Sequence, residues 1–248
     1  MAKPATAKTW LKVAIWTIVV VIALFAGAYG IWQYSKSRNS QLFGKIIARV
    51  ETPEKVIALT FDDGPTQYAL GTLALLKEKG VKATFFVIGG DVEKNPELAR
   101  AILADGHELG NHTYTHSDMT LAGWDTVVSE VERTDAAIRA AGFTGKIHFR
   151  PPGGKKLITL PLYLAQHDRI TVMADLEPDS SARLSKDAGL MVDNVLSRAR
   201  PGSIVLLHVM YKSRETSRQA LPGIIDGLHE RGYRFVTVSE LLAADDRT

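Results

Sequence analysis

The sequence predicts an α/β chain built on a mostly parallel sheet, placed behind a single N-terminal apolar helix. Three observations lead there. Apolar, β-rich runs of five or six residues alternate with helical patterns, as strand–helix–strand crossovers do. The polar motifs stand just after those runs and never before them. In parallel α/β folds the carboxyl ends of the strands converge on one site. Residues 13–32 carry no charge at all. Seven strand candidates suggest a closed or nearly closed barrel, and an open doubly wound sheet would give a similar pattern.

Residues 1–12 form a basic tail, followed by the apolar segment 13–32. As a helix its 20 residues span about 30 Å, the hydrocarbon thickness of a bilayer. Trp10, Trp16, Tyr29, Trp32 and Tyr34 stand mostly towards its ends, where amphipathic rings favour the interface. The segment therefore reads as a membrane anchor. A cleaved signal peptide is the alternative, with Ala26-Gly27-Ala28 as the small-residue site. Lysines and arginines flank both ends, so charge does not fix the orientation. Residues 33–54 are mixed and polar and read as a linker, with a short edge strand possible at 45–50. The remainder, 55–248, reads as one folded domain.

Within that domain the strand candidates are 56–61, 83–88, 108–112, 146–150, 170–174, 203–208 and 234–238. Between them, 70–78 reads as a helix closed by Gly80. Residues 96–104 follow Asn95, a good N-cap, and begin with Pro96 in the first turn. A long helix is expected over 119–141, ending before Gly142. Two more cover 188–199 and 218–230, the last closed by Gly232.

Composition narrows the function. Five of the 30 basic residues precede Asn39, with no acidic residue among them. That leaves 25 basic against 27 acidic residues, a net −2, for the rest of the chain. A near-neutral domain excludes a nucleic-acid footprint. The absence of cysteine excludes disulfides and thiolate ligands and leaves the redox compartment open.

Five stretches carry chemistry. Asp62-Asp63-Gly64-Pro65 puts two carboxylates at a strand end before a turn, so one can bind metal while the other accepts a proton. The same four residues also make an ordinary turn. His112 and His116 lie four apart and share a face on a helix or in a tight turn. With one carboxylate they make a three-ligand site that keeps positions open for water and substrate. Arg150 precedes Pro151-Pro152, which force a rigid, extended exit from its strand. Asp175 and Asp179 follow a fourth apolar run. His208 ends the run Ile204-Val205-Leu206-Leu207 and shares a strand face with Leu206.

The order and wording of Thr60-Phe61-Asp62-Asp63-Gly64-Pro65, Asn111-His112-Thr113-Tyr114-Thr115-His116, Phe149-Arg150-Pro151-Pro152-Gly153-Gly154 and Leu206-Leu207-His208 resemble the polysaccharide deacetylase family (NodB homology, carbohydrate esterase family 4). The resemblance runs from about Lys55 to about Ala244. It implies a distorted (β/α) barrel of about seven strands. It also implies Asp62 as general base and Asp63, His112 and His116 as metal ligands. Arg150 would hold the base, His208 would be the general acid, and the Gly153 amide would assist the oxyanion. Leu206 would line the pocket for an acetyl methyl. Asp175 is the candidate partner that keeps His208 charged. Three positions depart from the family pattern: Gly153 where tyrosine is frequent, Ser180 where tryptophan is expected, and Val209 where aspartate is frequent. They cluster at the rim of the site.

The expected activity is removal of the N-acetyl group from an amino sugar in a cell-wall or chitin-like glycan. One divalent metal would assist, zinc first, with cobalt, nickel or iron as alternatives. The expected partners are the N-acetylated glycan and, through the N-terminal helix, a membrane, with the catalytic domain extracytoplasmic. An O-acetyl esterase and a non-catalytic glycan-binding envelope protein are the rivals. A non-haem iron oxygenase also uses two histidines and a carboxylate, but it leaves the second aspartate, Arg150 and His208 without a task.

Overall fold

The computed structural model describes residues 7–245. Half of the expected basic tail, residues 1–6, lies outside them. Helix α1 (Ala7–Ser35) contains the whole apolar segment. It is long and apolar enough to cross a membrane, and none of its most apolar stretch is buried against the domain.

The domain alternates as expected: β1 (Ile46–Ile47), β2 (Val56–Asp62), α2 (Ala69–Glu78), β3 (Thr84–Val87), α3 (Gly89–Lys94), α4 (Pro96–Ala104), β4 (Glu108–Asn111), α5 (Trp124–Ala140), α6 (Thr159–Gln166), β5 (Thr171–Val172), α7 (Ala188–Arg198), β6 (Ile204–His208), α8 (Glu215–Glu230), β7 (Arg234–Val236) and α9 (Val238–Ala243). All pairings between these strands are parallel. The main sheet runs β4-β3-β2-β6, with β7 against the first half of β2. β1 and β5 form a second, two-stranded sheet. One-residue bridges join the two sheets: Asn111 to Phe149, Phe149 to Thr171, Leu176 to Val205, and Arg49 to Ser203. Strand pairing thus leads from one outer strand of the main sheet round to the other.

β2 sits at the centre and is buried along its whole length, as a parallel strand covered on both faces must be. Alternation sends Ile57, Leu59 and Phe61 to a large apolar cluster with α2, α7 and α8. It sends Val56 and Ala58 the other way, to a smaller cluster with Phe86, Val172, Ile204 and Leu206. The same period of two carries the second face onward to Thr60 and Asp62. This is how the apolar interior comes to end in a carboxylate.

The differences from expectation have local causes. No strand forms over 146–150. Only Phe149 forms bridges, to Asn111 and Thr171, and the pairing goes no further than Arg150 because Pro151 and Pro152 have no N–H with which to continue it. β5 is cut to two residues because the Arg150 side chain takes the Val172 and Met173 carbonyls (3.1 and 3.2 Å). The long helix starts at Trp124 instead of Met119, behind Gly123 in an extended conformation. Strand β7 stops at Val236 because Thr237 caps α9, with Glu240 completing the capping box. The stretch 33–54 is not a free linker: Ser35, Ile47, Ala48 and Val50 are buried and β1 pairs with β5.

Gly110 on β4 is a place where the sheet tolerates no side chain. A Cβ there would stand 2.5 Å from the Phe86 ring, and Phe86 in turn carries the Arg150 guanidinium 4.0 Å above its centroid. Gly110→Ala is expected to destabilise the domain by about 1–3 kcal/mol through overpacking. Chemical denaturation of the purified variant tests this, and an unchanged midpoint would remove Phe86 from the account of how Arg150 is held.

Candidate active site

The site lies at the carboxyl ends of β2, β4 and β6. Asp62 is the last residue of β2, and both it and Asp63 are buried. Asp63 turns the chain with φ 76°, a left-handed conformation that aspartate tolerates better than most residues. Its N–H donates to the Phe86 carbonyl (3.1 Å). A continuing strand would send the two carboxylates to opposite faces; the turn instead brings both to His112, 3.6 Å from Asp62 Oδ2 and 3.9 Å from Asp63 Oδ1.

His112 and His116 follow β4 in a loop, not a helix. The Asn111 side chain accepts from the Thr113 N–H (2.9 Å) and donates to the Val131 carbonyl. From α5, the buried Glu130 carboxylate accepts from the Tyr114 and Thr115 N–H groups (2.8 Å each) and from the Thr115 hydroxyl. Held this way, the loop adopts left-handed φ at Thr113 and His116 and turns both rings towards Asp63.

The His116 Nε2 is 3.4 Å from Asp63 Oδ1, and the His112 Nε2 is 3.9 Å from it. Among the described residues these three form one group able to hold a metal ion, with all ligand atoms within 4.8 Å. Ligands about 2.1 Å from a tetrahedral ion stand about 3.4 Å apart, so the spacing fits a single cation. Two further observations agree. Asp63 Oδ1 is buried without a hydrogen-bond donor. His112 Nδ1 donates to the Arg150 carbonyl (2.7 Å), which leaves the Nε2 lone pair facing the cluster, the usual fixing of a ligating tautomer. Burial lowers the His112 pKa, against the pull of Asp62 and Asp63, and so favours the neutral form that binds metal.

Asp62 stands beside the cluster, 3.6 Å from His112 Nε2 through Oδ2. Its Oδ1 accepts from Arg150 Nη1 at 2.6 Å. Burial alone would raise the Asp62 pKa, but the Arg150 charge and hydrogen bond, with His112 and His208, hold it below the ordinary carboxylate value. Arg150 is itself buried with each guanidinium nitrogen engaged, the Thr60 hydroxyl (2.9 Å) and the Val172 and Met173 carbonyls being its other acceptors.

His208 ends β6, opposite Asp62 in register. The expectation for its partner is corrected. Asp175 does not reach it, because that carboxylate accepts from the Ser203 hydroxyl and the Ile204 N–H (2.9 Å each). Asp179 contacts His208 instead, accepting from its Nδ1 (3.2 Å) and its backbone N–H (2.6 Å), with the Ser217 hydroxyl as a further donor (3.0 Å). Burial pushes the His208 pKa down, yet Asp179, with Asp62 and Asp63, outweighs it and the net shift is upward. The sequence named both aspartates; what it could not show is that Pro178 starts a tight turn that brings the later one under the histidine.

Asp62, Arg150, Gly153, Leu206 and His208 line one cavity of about 180 Å³. Asp63 and His116 line an outer groove of about 680 Å³ with Tyr114 and Tyr211. The ligand cluster therefore lines the groove through Asp63 and His116, and the adjacent Asp62 lines the inner cavity. Gly153 has φ 57°, and a Cβ there would meet nothing closer than 3.8 Å. Sequence reasoning passed over Thr60, Glu130 and Asp179 as supporting groups, and it assigned nothing to Arg38 and Glu177, which also line the inner cavity.

This arrangement can be set beside known proteins. Residues 49–171 match the model of the family described as polysaccharide deacetylase. A peptidoglycan-N-acetylglucosamine deacetylase of Bacillus cereus is 35% identical over 205 residues, covering 80% of this chain and 93% of that protein. Some relatives are much longer: the chain spans 30% of a bifunctional xylanase/deacetylase of Pseudobutyrivibrio xylanivorans, 38% identical over 190 residues. Among solved structures, the family 4 domain of a multidomain xylanase from the hindgut metagenome of Trinervitermes trinervoides superposes with a TM-score of 0.70 at 39% identity, covering 77% of this chain and 90% of that one. A family 4 pseudoenzyme from Bacillus anthracis gives 0.71 at 28%, covering 80% and 71%. With a close relative covered almost end to end and the motif stretches gathered at one site, the chain belongs to the polysaccharide deacetylase family.

Proposed function

We propose that the protein is a metal-dependent N-deacetylase that removes the acetyl group from an N-acetylated amino sugar of a cell-wall or related glycan. One observation carries this reading: a carboxylate free of the ligand cluster, Asp62, is held by Arg150 beside that cluster, with a protonatable histidine at the same cavity. The fold alone would not suffice, since it is shared with a pseudoenzyme. An O-acetyl esterase would use the same groups, and the amide reading is preferred on the names of the relatives.

Asp63, His112 and His116 would hold the ion, zinc by the two-imidazole, one-carboxylate donor set. When bound, it supplies Lewis acidity to the acetamide carbonyl and to an attacking water. The protein groups do the rest. Asp62 takes the water proton, with Oδ2 available because Oδ1 is occupied by Arg150. The water oxygen forms its bond to the carbonyl carbon, and negative charge develops on the carbonyl oxygen, where the Gly153 N–H assists. His208 donates a proton to the nitrogen as the C–N bond breaks. Its Nδ1 is turned to Asp179, so Nε2 is the acid. Acetate and a free amine leave. Leu206, at the edge of the cavity, gives the acetyl methyl an apolar wall.

We also read α1 as a membrane anchor with the domain on the extracytoplasmic side. Its exposed apolar surface and the cell-wall role in the names of relatives support this.

Three outcomes are expected. The full chain loaded with Zn²⁺ releases acetate from N-acetylated chito-oligomers or peptidoglycan. Asp62→Asn lowers kcat by about 10²–10⁴-fold. His116→Ala weakens Zn²⁺ binding in calorimetry by at least about 100-fold, more than loss of an outer hydrogen-bond partner costs. Wild-type rates in both variants would reject the assignment. The pH dependence has a definite sign. Asp62 must be ionised, so activity falls as pH drops through its depressed pKa. His208 must be protonated, so activity falls as pH rises through its raised pKa. Asp179→Asn removes the main upward influence and should move the alkaline limb of kcat to lower pH, and a limb that stays in place would show that another group sets it. Finally, the full chain should remain with membranes through an alkaline carbonate wash. Release of a shortened product would favour a cleaved signal peptide.

A further inference from the structure

The segment just after α1 enters the catalytic cavity. Arg38, three residues beyond Ser35, lines it beside Asp62, Arg150 and His208. Its position is built, not incidental. The Lys156 backbone N–H donates to the Ser35 carbonyl (2.9 Å). The buried Lys156 ammonium joins the Ser37 and Gly154 carbonyls. The turn carrying Arg38 is thereby fixed to the loop that follows Arg150. The Arg38 guanidinium pairs with Glu177, which is only 10% exposed in its side chain while Arg38 is 45% exposed.

The two arginines of the cavity differ in what they leave free. Arg150 spends its donors on Asp62, Thr60 and two carbonyls. A guanidinium has five N–H donors, and among the described residues Arg38 has Glu177 as its one ion-pair partner. Most of its fork therefore faces the cavity and solvent, on a wall to which Gly153 and Gly154 add no side chain. A planar fork of donors recognises carboxylate or phosphate oxygens.

We infer that Arg38 is a specificity-determining residue that binds an anionic group of the substrate next to the acetamide being cleaved. This rests on the deacetylase reading above and deepens it: the substrate is an amino sugar carrying a carboxylate or a phosphate. The carboxylate would belong to a neighbouring glycan residue, and the phosphate would link the sugar to a membrane lipid.

The test uses the full chain in detergent with Zn²⁺ and three N-acetylated substrates. One is a neutral chito-oligomer, one is a peptidoglycan fragment bearing muramic carboxylates, and one is N-acetylglucosamine joined through phosphate to a polyprenol. The quantity read is kcat/KM on each anionic substrate divided by that on the neutral one. Arg38→Gln should lower this ratio by about tenfold or more for one of the two anions, mainly through KM, as expected for losing a charge-assisted hydrogen bond. The anion that responds identifies the source, and Arg38→Lys should recover part of the loss. A ratio unchanged within about twofold for both anions would overturn the inference and leave the Arg38–Glu177 pair as a latch between segments. So would a wild-type enzyme active on the neutral oligomer and inert on both anions. If wild type released acetate from none of the three, the deacetylase reading itself would fail, and this inference with it.

Discussion

The buried ion pair between Arg150 and Asp62 organises this domain. A charged guanidinium and a charged carboxylate in the same interior are costly unless each is fully partnered. The sheet is shaped to provide those partners. Thr60 places a hydroxyl on the same face of β2 as Asp62. Two carbonyls that would have extended β5 turn to the arginine instead. Phe86 offers its ring face to the cation. The carbonyl of Arg150 in turn fixes the His112 ring. One side chain thus joins the base, the ligand cluster and the strand ends, and the irregularities of the sheet follow from satisfying it.

The remaining parts arrange themselves around that pair. The ligand cluster is organised from the opposite side, by α5 through Glu130 and by the Asn111 side chain. His208 is organised from a third direction, by the Asp179 turn and α8 through Ser217. Three separate supports converge on a cavity of modest size lined by Asp62, and a larger groove is lined by the adjacent Asp63. Chemistry can be protected in the first while the second accommodates a chain of sugars. A pseudoenzyme with the same architecture makes the point that the scaffold permits this chemistry without requiring it. What speaks for catalysis here is the presence of a carboxylate outside the ligand cluster, pre-aligned by a charge-assisted hydrogen bond.

The sequence made the regular parts legible and left the irregular ones hidden. α4 is marked by Asn95 and Pro96, β2 by an unbroken apolar run, and both fall where expected. The two aspartates, two histidines, Arg150 and His208 could be picked out because each follows such a run. The two prolines marked in advance where the pairing after Arg150 must stop, but nothing in the sequence showed that residues 146–150 would be reduced to the bridges at Phe149. The end of β7 at Thr237 was readable, since Thr237 and Glu240 have capping-box spacing. The choice between Asp175 and Asp179 was not readable. Both stand in one short stretch, and which of them meets His208 depends on how the chain turns at Pro178. The role of residues 33–54 was hidden for a similar reason: polar composition resembles a linker, and only the pairing of Ile46 and Ile47 with β5 reveals a docked segment.

The bond between the end of α1 and the Lys156 loop has a consequence for range. A catalytic domain on a long flexible leash can sweep a wide shell around its attachment point. Here the leash has almost no slack, because Ser35, the last residue of the helix, is already tied down. Were α1 to act as the proposed anchor, the domain could not move far from the lipid surface, and its reach would be a thin layer. Glycan further out would have to be brought to it.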